Sequence, residues 1–405
     1  MIRLCAPNFA SIKINLAKMR VCHISTVHPV GDARIVYRMC SALAERGVSV
    51  VMIAKGKAPI DESLVRMSSW NEQILNSGRF KRIGLALRAA LAENADIYHF
   101  HDIELIPMAL ALKVLRPGRA VVYDVHEDYP AFMKEKYWLP KPLRPFASWA
   151  VRCANFVTGL CVDGIVTADP GVQKSFETCG KEKTMVYYNF PLLSMFKPGA
   201  PLDSDGKTDL VYVGGMSDRA GTFVLLDALS LLATEGTRPT VRLAGYTDGE
   251  AGQRAVQKGI ESRGLQAQVE FRGRIPYSEV PGWIRSGRIG LVTLQAIPKF
   301  MKNIPSKMFE YWACGRPVIA SNLPPIRPFL FDGKNGLLFD PSSPSALAHA
   351  IRSLLQRPEE LEAMGQYGRE LIFSNWNNDR QIDGLIRFYH QICNGNVRDA
   401  VSADG

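Results

Sequence analysis

The sequence predicts an α/β protein built from two Rossmann-like halves facing across a cleft. Three observations carry this expectation. The chain has 405 residues, 47% of them hydrophobic. A single core stops growing at roughly 250–300 residues, so two domains are expected. Short apolar runs alternate with segments of helical periodicity, which implies mostly parallel sheets covered by helices. The alternation also halts once, in a stretch rich in Pro, Gly, Asp and Ser, and then restarts.

Taken in order, RVCHIS (20–25) reads as a buried strand, DARIVYRMCSALAERG (32–47) as a helix with Gly47 just past its end, and VSVVMIA (48–54) as the next strand. ADIYHF (95–100), AVVYDV (120–125) and DGIVTA (163–168) are further strands with helices between them, and TMVYYNFP (184–191) closes the half. LLSMFKPGAPLDSDGKTD (192–209) reads as a linker. LVYVGG (210–215), TVRLAG (240–245), QVEFRG (268–273), IGLVTL (289–294) and RPVIAS (316–321) then repeat the strand pattern. The tail NNDRQIDGLIRFYHQIC (377–393) has helical spacing at Ile382, Leu385, Ile386 and Tyr389. The expected organisation is a first domain over 1–195, a linker over 196–208, a second domain over 209–375, and a C-terminal helix and tail over 376–405 that pack back on the first domain. Residues 1–18 read as an extension, with Met19 as an alternative start.

The formal net charge of +10 favours anionic partners such as nucleotides, phosphates or an acidic membrane surface. No nucleic-acid motif and no interleaved aromatic-basic stripe of the RNA-binding kind occurs, so no nucleic-acid partner is expected. No run of ~18 apolar residues is present, so no transmembrane helix is expected. The first twenty residues lack the apolar core and cleavage site of a signal peptide. Eight scattered cysteines with no Cys-x-x-Cys pair suit a reducing compartment. The expected location is the cytoplasm, peripheral on the inner face of the membrane.

Parallel α/β sheets bind ligands beyond the carboxyl ends of their strands. In the first half those positions carry His28, Gly31, His99, His101, Asp102 and the run DVHEDYP (124–130) with His126. HFHD (99–102) with His126 is also a candidate metal site, since His99 and His101 would share one strand face. No helical His pair or Cys set completes a sphere, so no metal is expected. In the second half the strand ends carry Gly214, Gly215, Gly245, Gly273 and Arg274. YVGGMSDRAGTFVLLDAL (212–229) follows a strand and opens a helix. Its glycines let backbone approach an anion and Arg219 adds charge, although a plain tight turn is an equal reading.

KNIPSKMFEYWACGRPVIAS (302–321) places Lys307 near the start of a helix, where free N–H groups and a lysine would hold phosphate. Glu310, one turn deeper, would accept two hydrogen bonds from a ribose diol. A surface acid on an ordinary helix is the competing reading. The apolar neighbours Met308, Phe309, Trp312 and Ala313 favour the functional one. KEKYWLPKPLRPFASWAVR (134–152) mixes Lys134, Lys136, Lys141, Arg144 and Arg152 with Trp138, Leu139, Phe146 and Trp149. Cations with tryptophan suit an acidic lipid surface, and a loop followed by a core helix is the alternative.

These residues resemble a known pattern, that of the GT-B glycosyltransferases of the large retaining family 4. The resemblance covers nearly all of Arg20–Cys393. It is most specific in PSKMFEYWACGRPVIASNLPPIRPFLFDGKNGLLFDPSSPSALAHAI (305–351), which is similar to the family's donor-binding core, and YDVHEDYP (123–130) looks like the marker of a bacterial surface-polysaccharide subgroup. The resemblance implies a retaining, hexosyltransferase-type enzyme that uses a UDP- or GDP-linked sugar, a saccharide acceptor, and neither metal nor cofactor. With the membrane surface as a partner, the acceptor is expected to be lipid-linked. Front-face attack, with the departing phosphate oxygen taking the acceptor proton, is implied. Glu310 would hold the ribose, and loop residues including Lys302 and Asn303 the diphosphate and sugar. His126 and Asp102 would orient acceptor or sugar, supported by His101. Gly31 would let the first loop approach the reacting centre, and Arg274 and Ile275 would frame the base.

Two departures stand out. The family usually carries two glutamates with seven residues between them, and Lys302 stands where the first would be; a lysine there suits an acidic sugar. The usual Arg and Lys of the phosphate turn fall on Gly215 and Ala220, leaving Arg219. Two other readings compete. An epimerase or hydrolase on the same scaffold would turn over the nucleotide sugar without acceptor. A non-catalytic nucleotide-sugar-binding protein would bind the donor without turnover.

Overall fold

The computed structural model describes residues 19–56, 64–68, 70–135, 139–196 and 208–403. Most of the expected linker, the extension over 1–18, and Lys136 and Trp138 lie outside the described residues. The chain falls into two compact units, one running to Val121 and taking Asn396 onward, the other Val122–Gly395.

In the first unit, β1 (Arg20–Pro29), β2 (Ser49–Lys55), β3 (Arg66–Met67) and β4 (Ile97–Phe100) lie parallel in the order β3-β2-β1-β4. Cys22 of β1 sits opposite Val51 of β2 and Tyr98 of β4. Every residue of β4 is buried, as a strand covered on both faces requires. β1 runs four residues beyond the expected 20–25, with a register shift between Ile24 and Pro29, so His28 lies within the strand and not after it. The helix expected over 32–47 opens instead as a π-type helix, Ala33–Ser41, followed by Ala42–Glu45. Asp32 caps it by accepting from the N–H groups of Arg34 and Ile35, both at 2.9 Å.

In the second unit, β5 (Ala120–Val125), β6 (Gly164–Thr167) and β7 (Thr184–Val186) run parallel side by side. Only the first three residues of the expected TMVYYNFP strand pair. The remainder leads to Tyr187 and Tyr188. There the Tyr187 hydroxyl donates to Asn378 at 2.7 Å, and Gln381 brackets the Tyr188 backbone at 2.6 and 2.9 Å. The helix Asn378–Ala403 is thereby tied at its start to the chain after β7.

Six further strands form a parallel sheet: β8 (Thr208–Val213), β9 (Val241–Ala244), β10 (Val269–Gly273), β11 (Gly287–Val292), β12 (Val318–Ser321) and β13 (Gly336–Phe339), in the order β10-β9-β8-β11-β12-β13. β13 was not expected, because only three apolar residues separate Gly336 from Asp340. One face packs the helices Thr222–Thr234 and Pro344–Leu355 through Leu225, Leu229, Leu347 and Ile351. The other face packs Trp283, Phe309 and Trp312, with Ile372 in the same cluster.

Candidate active site

The helix Ser306–Ala313 follows the loop after β11. Its side chains from Met308 to Ala313 are all buried, so it is a core helix and its one acid is not a surface residue. Gly315 ends it at φ +70°, with Gly315 N–H donating to Trp312 O and Arg316 N–H to Tyr311 O. This is a Schellman stop, in which the left-handed residue is glycine because a Cβ would be strained there. Tyr311 fits under β11 only because Gly290 has no side chain: a Cβ there would lie 2.3 Å from the ring.

Glu310 is 5% exposed, and its Oε1 accepts the Tyr277 hydroxyl at 2.9 Å. Lys307, one turn earlier and half-buried, places Nζ 3.8 Å from the Tyr212 ring centroid. Burial lowers its pKa to about 7, against the opposing pull of Glu310. The β8 turn faces it: a Cβ on Gly214, whose φ is +139°, would come within 3.1 Å of Nζ. Gly215 lies against Tyr246, and its carbonyl accepts the Tyr212 hydroxyl at 2.6 Å. Lys307, Glu310, Gly214 and Gly215 therefore meet at one place. Arg219 is exposed on a turn closed by Ser217 and Thr222. After β10, Arg274 is exposed and Ile275 packs on the cluster containing Phe309.

The loop before the helix turns through Ile297–Asn303 by hydrogen bonds from Met301 N–H to Ile297 O and from Asn303 N–H to Lys299 O. This puts Lys299 and Lys302 on one side. Lys302 Nζ pairs with Asp128 at 2.6 Å and Lys299 Nζ with Glu127 at 2.8 Å. Asp128 also caps the helix Tyr129–Glu135, accepting from Ala131 N–H at 3.0 Å. The two acids follow β5 after His126. His126 is held by buried Asp124, Nε2 to Oδ2 at 2.9 Å.

In the first unit, Asp102 is buried and holds the end of β1. It accepts from the Ser25 hydroxyl at 2.8 Å and from the N–H groups of Thr26 and Val27, and pairs with His28 Nδ1 at 2.8 Å. Burial would raise its pKa, but His28 and the two backbone donors outweigh this and hold it well below the usual carboxylate range. Asp102 thus acts on His28 and the strand end. Stabilisation of this kind is present above the ordinary carboxylate pKa of about 4 and is lost as pH falls below it. Asp102→Asn is expected to cost about 2–3 kcal/mol in urea unfolding at pH 7, since it turns an amide toward backbone donors. The difference from wild type should narrow at pH 3.

His101 is buried, with Nε2 2.9 Å from His23 Nδ1, and its ring lies 4.7 Å from that of His99. A separation of 2.9 Å is that of a hydrogen bond between two imidazoles. Two nitrogens on one tetrahedral ion with bonds of about 2.0–2.1 Å stand about 3.3 Å apart. Gly31 lies exposed in the turn after β1.

Sequence reasoning did not find Tyr277 or His23, named Asp124 only within the run DVHEDYP, and did not find the pairing of Glu127 and Asp128 with Lys299 and Lys302. The complementary charges of HEDYP and KFMKN were a visible signal for the last of these. The Tyr277 contact had none, because its reach is set by the 3-10 turn Tyr277–Glu279.

Parallel Rossmann-like sheets with helices packed on them define the class of scaffold, and the comparisons agree on that class. The model for glycosyl transferases group 1 matches residues 197–371, and that for glycosyltransferase family 4 matches residues 31–190. Between them they take in most of the chain, which belongs to the family 4 glycosyltransferases of GT-B fold. The lipopolysaccharide core biosynthesis glycosyltransferase LpsE of Rhizobium meliloti is 23% identical over 378 residues, 91% of this chain and 98% of that protein. The D-inositol 3-phosphate glycosyltransferase of Frankia alni and the alpha-D-kanosaminyltransferase of Streptomyces kanamyceticus are matched over only about half of their own length. Among solved structures, sucrose-phosphate synthase of Thermosynechococcus elongatus superimposes with a TM-score of 0.71 at 18% identity, covering 91% of this chain and 98% of that one. Anabaena HepE in complex with UDP does so at 0.67 and 16%, covering 91% and 99%.

Proposed function

We propose that this glycosyltransferase moves a sugar, with retention and without metal, from a UDP- or GDP-linked donor to a saccharide acceptor carried on lipid in bacterial polysaccharide biosynthesis. The observation that carries the reading is Glu310: a buried carboxylate one turn inside a helix whose first turn bears Lys307 against a glycine turn. Burying a charge is costly unless partners meet it. A ribose diol supplies two donors to the carboxylate, and a diphosphate supplies the anion for Lys307 and the helix N–H groups. Leaving-group charge is then stabilised by fixed dipoles and one cation. The likeness to LpsE supports a bacterial surface-polysaccharide setting, and HepE with UDP supports uridine as a first choice.

Lys302 bears on the sugar. Its ammonium is paired with Asp128, which neutralises the cation an acidic sugar would use. A neutral hexose is therefore favoured over a uronic acid.

The test is a thermal-shift screen of UDP- and GDP-linked neutral and uronic sugars, with chelator present. A ligand at a hundred times its dissociation constant stabilises by about 2.7 kcal/mol. A neutral donor is expected to raise the melting temperature by several degrees, and product analysis with saccharide acceptors should show transfer. Turnover without acceptor would favour an epimerase or hydrolase. A panel with no shift would overturn the reading.

A further inference from the structure

The helix Arg144–Cys161 is inside out. Its buried residues are Ser148, Asn155, Thr158 and Gly159, which are small or polar. Their polar groups are met within the second unit: the Ser148 hydroxyl donates to Pro130 O at 2.7 Å, Asn155 accepts the Tyr123 hydroxyl at 3.3 Å, and the Thr158 hydroxyl donates to Ala154 O at 2.7 Å. Gly159 sits against Cys179, where a Cβ would come within 2.6 Å of the sulfur. The large apolar residues point outward: Phe146 is 66% exposed, Trp149 60% and Leu160 51%, with Phe156 and Val157 between them. At 3.6 residues per turn, these five fall on a stripe about 100° wide and about 20 Å long.

A helix that buries its polar side and shows its apolar side to water loses hydrophobic stabilisation unless something covers it. The charges indicate what. From Leu139 to Val162 the sequence holds no acid. Lys141 and Arg152 are exposed, Arg152 lies on the flank of the stripe, and Lys134 is exposed on the preceding helix. An apolar stripe whose own helix and preceding turn carry cations and no acid is complementary to a surface with anionic headgroups over a hydrocarbon interior. Two copies facing each other would oppose these cations with no acid from the same stretch. We infer that Arg144–Cys161 is an interfacial helix that seats the protein on an anionic bilayer, with Phe146, Trp149, Phe156, Val157 and Leu160 entering the acyl boundary and Lys141 and Arg152 at headgroup level. Among the described residues no helix is long and apolar enough to cross a membrane, so the attachment lies in the bilayer plane. This assignment does not depend on the donor reading: a variant that binds no nucleotide sugar keeps the same face.

Flotation of the full chain with vesicles of phosphatidylcholine containing about one third phosphatidylglycerol tests it, with nucleotide-sugar binding followed separately. The protein is expected to float with these vesicles, at least tenfold less with phosphatidylcholine alone, and less in high salt. The triple variant Phe146→Ser, Trp149→Ser, Leu160→Ser should lose flotation, with melting temperature and donor binding unchanged. Lys141→Glu with Arg152→Glu should lose it without touching the stripe, which keeps the test decisive if the triple variant folds poorly. Wild-type protein that stays with the soluble fraction would overturn the assignment, as would equal flotation of the charge-reversed variant. A concentration-dependent dimer that the triple variant abolishes, with no vesicle binding, would assign the stripe to a second copy instead.

Discussion

Glu310→Ala is expected to remove the donor-induced thermal shift. Its Oε1 accepts the Tyr277 hydroxyl, and the residue lies 5% exposed on a helix whose side chains from Met308 to Ala313 pack the core. Two charge-assisted hydrogen bonds to a ribose diol are worth about 1.5–3 kcal/mol each. Their loss corresponds to roughly a hundredfold to ten-thousandfold weaker donor binding. The fold should survive, because methylene and carboxylate are removed beside a tyrosine hydroxyl that water can then reach. A stability loss of about 1–3 kcal/mol is expected. Glu310→Gln keeps shape and one acceptor, so it should fall between the two. Calorimetric titration of each variant with the best donor, alongside urea unfolding, separates the effects. A variant that folds as wild type and still shows the full shift would remove Glu310 from the donor site.

The fold was legible because its signals are periodic. Buried parallel strands read as unbroken apolar runs, and eleven of the observed strands overlap runs visible in the sequence by three residues or more. What was not legible is informative. β3 has two residues, too short for any pattern, and β13 offers only Leu337, Leu338 and Phe339 between Gly336 and Asp340. β1 extends to Pro29 because Asp102 captures Thr26 and Val27 through side-chain hydrogen bonds, a long-range effect with no local mark. Glu310 and Lys307 were visible as the only charged pair on an apolar helix. Lys302 was visible as a departure, but its consequence was not. Asp128 is 174 positions away in sequence, and only the folded chain brings its carboxylate to the lysine. The apolar content of Arg144–Cys161 likewise reads as a core helix until its direction is known. Periodicity locates a stripe but does not say which side faces the protein.

Lys307 should make donor binding depend on pH, and the sign follows from burial. Its pKa, ordinarily 10.5, is lowered to about 7 because the ammonium is removed from water, with Glu310 only partly opposing this. In the free protein the lysine is charged below pH 7 and increasingly neutral above it. A bound diphosphate places anionic oxygens beside Nζ and raises the pKa again, so binding above pH 7 takes up a proton. Affinity for the nucleoside diphosphate is expected to fall between about pH 7 and pH 9, by up to about tenfold per unit. Calorimetry in buffers of different ionisation enthalpy would report the proton directly. Folding stability moves the other way. Between pH 7 and 10.5 the unfolded chain holds the lysine proton more often than the folded one, so stability rises with pH across that window and the penalty is largest at and below 7. Lys307→Met should therefore melt higher than wild type at pH 6.5, by about 1–3 kcal/mol, with the gain shrinking toward pH 10. The same variant should bind nucleoside diphosphate weakly and without the pH slope. A wild-type protein whose affinity is flat from pH 6 to 9 would show that Lys307 does not face the phosphate. A methionine variant less stable than wild type at pH 6.5 would show that its ammonium is fully solvated.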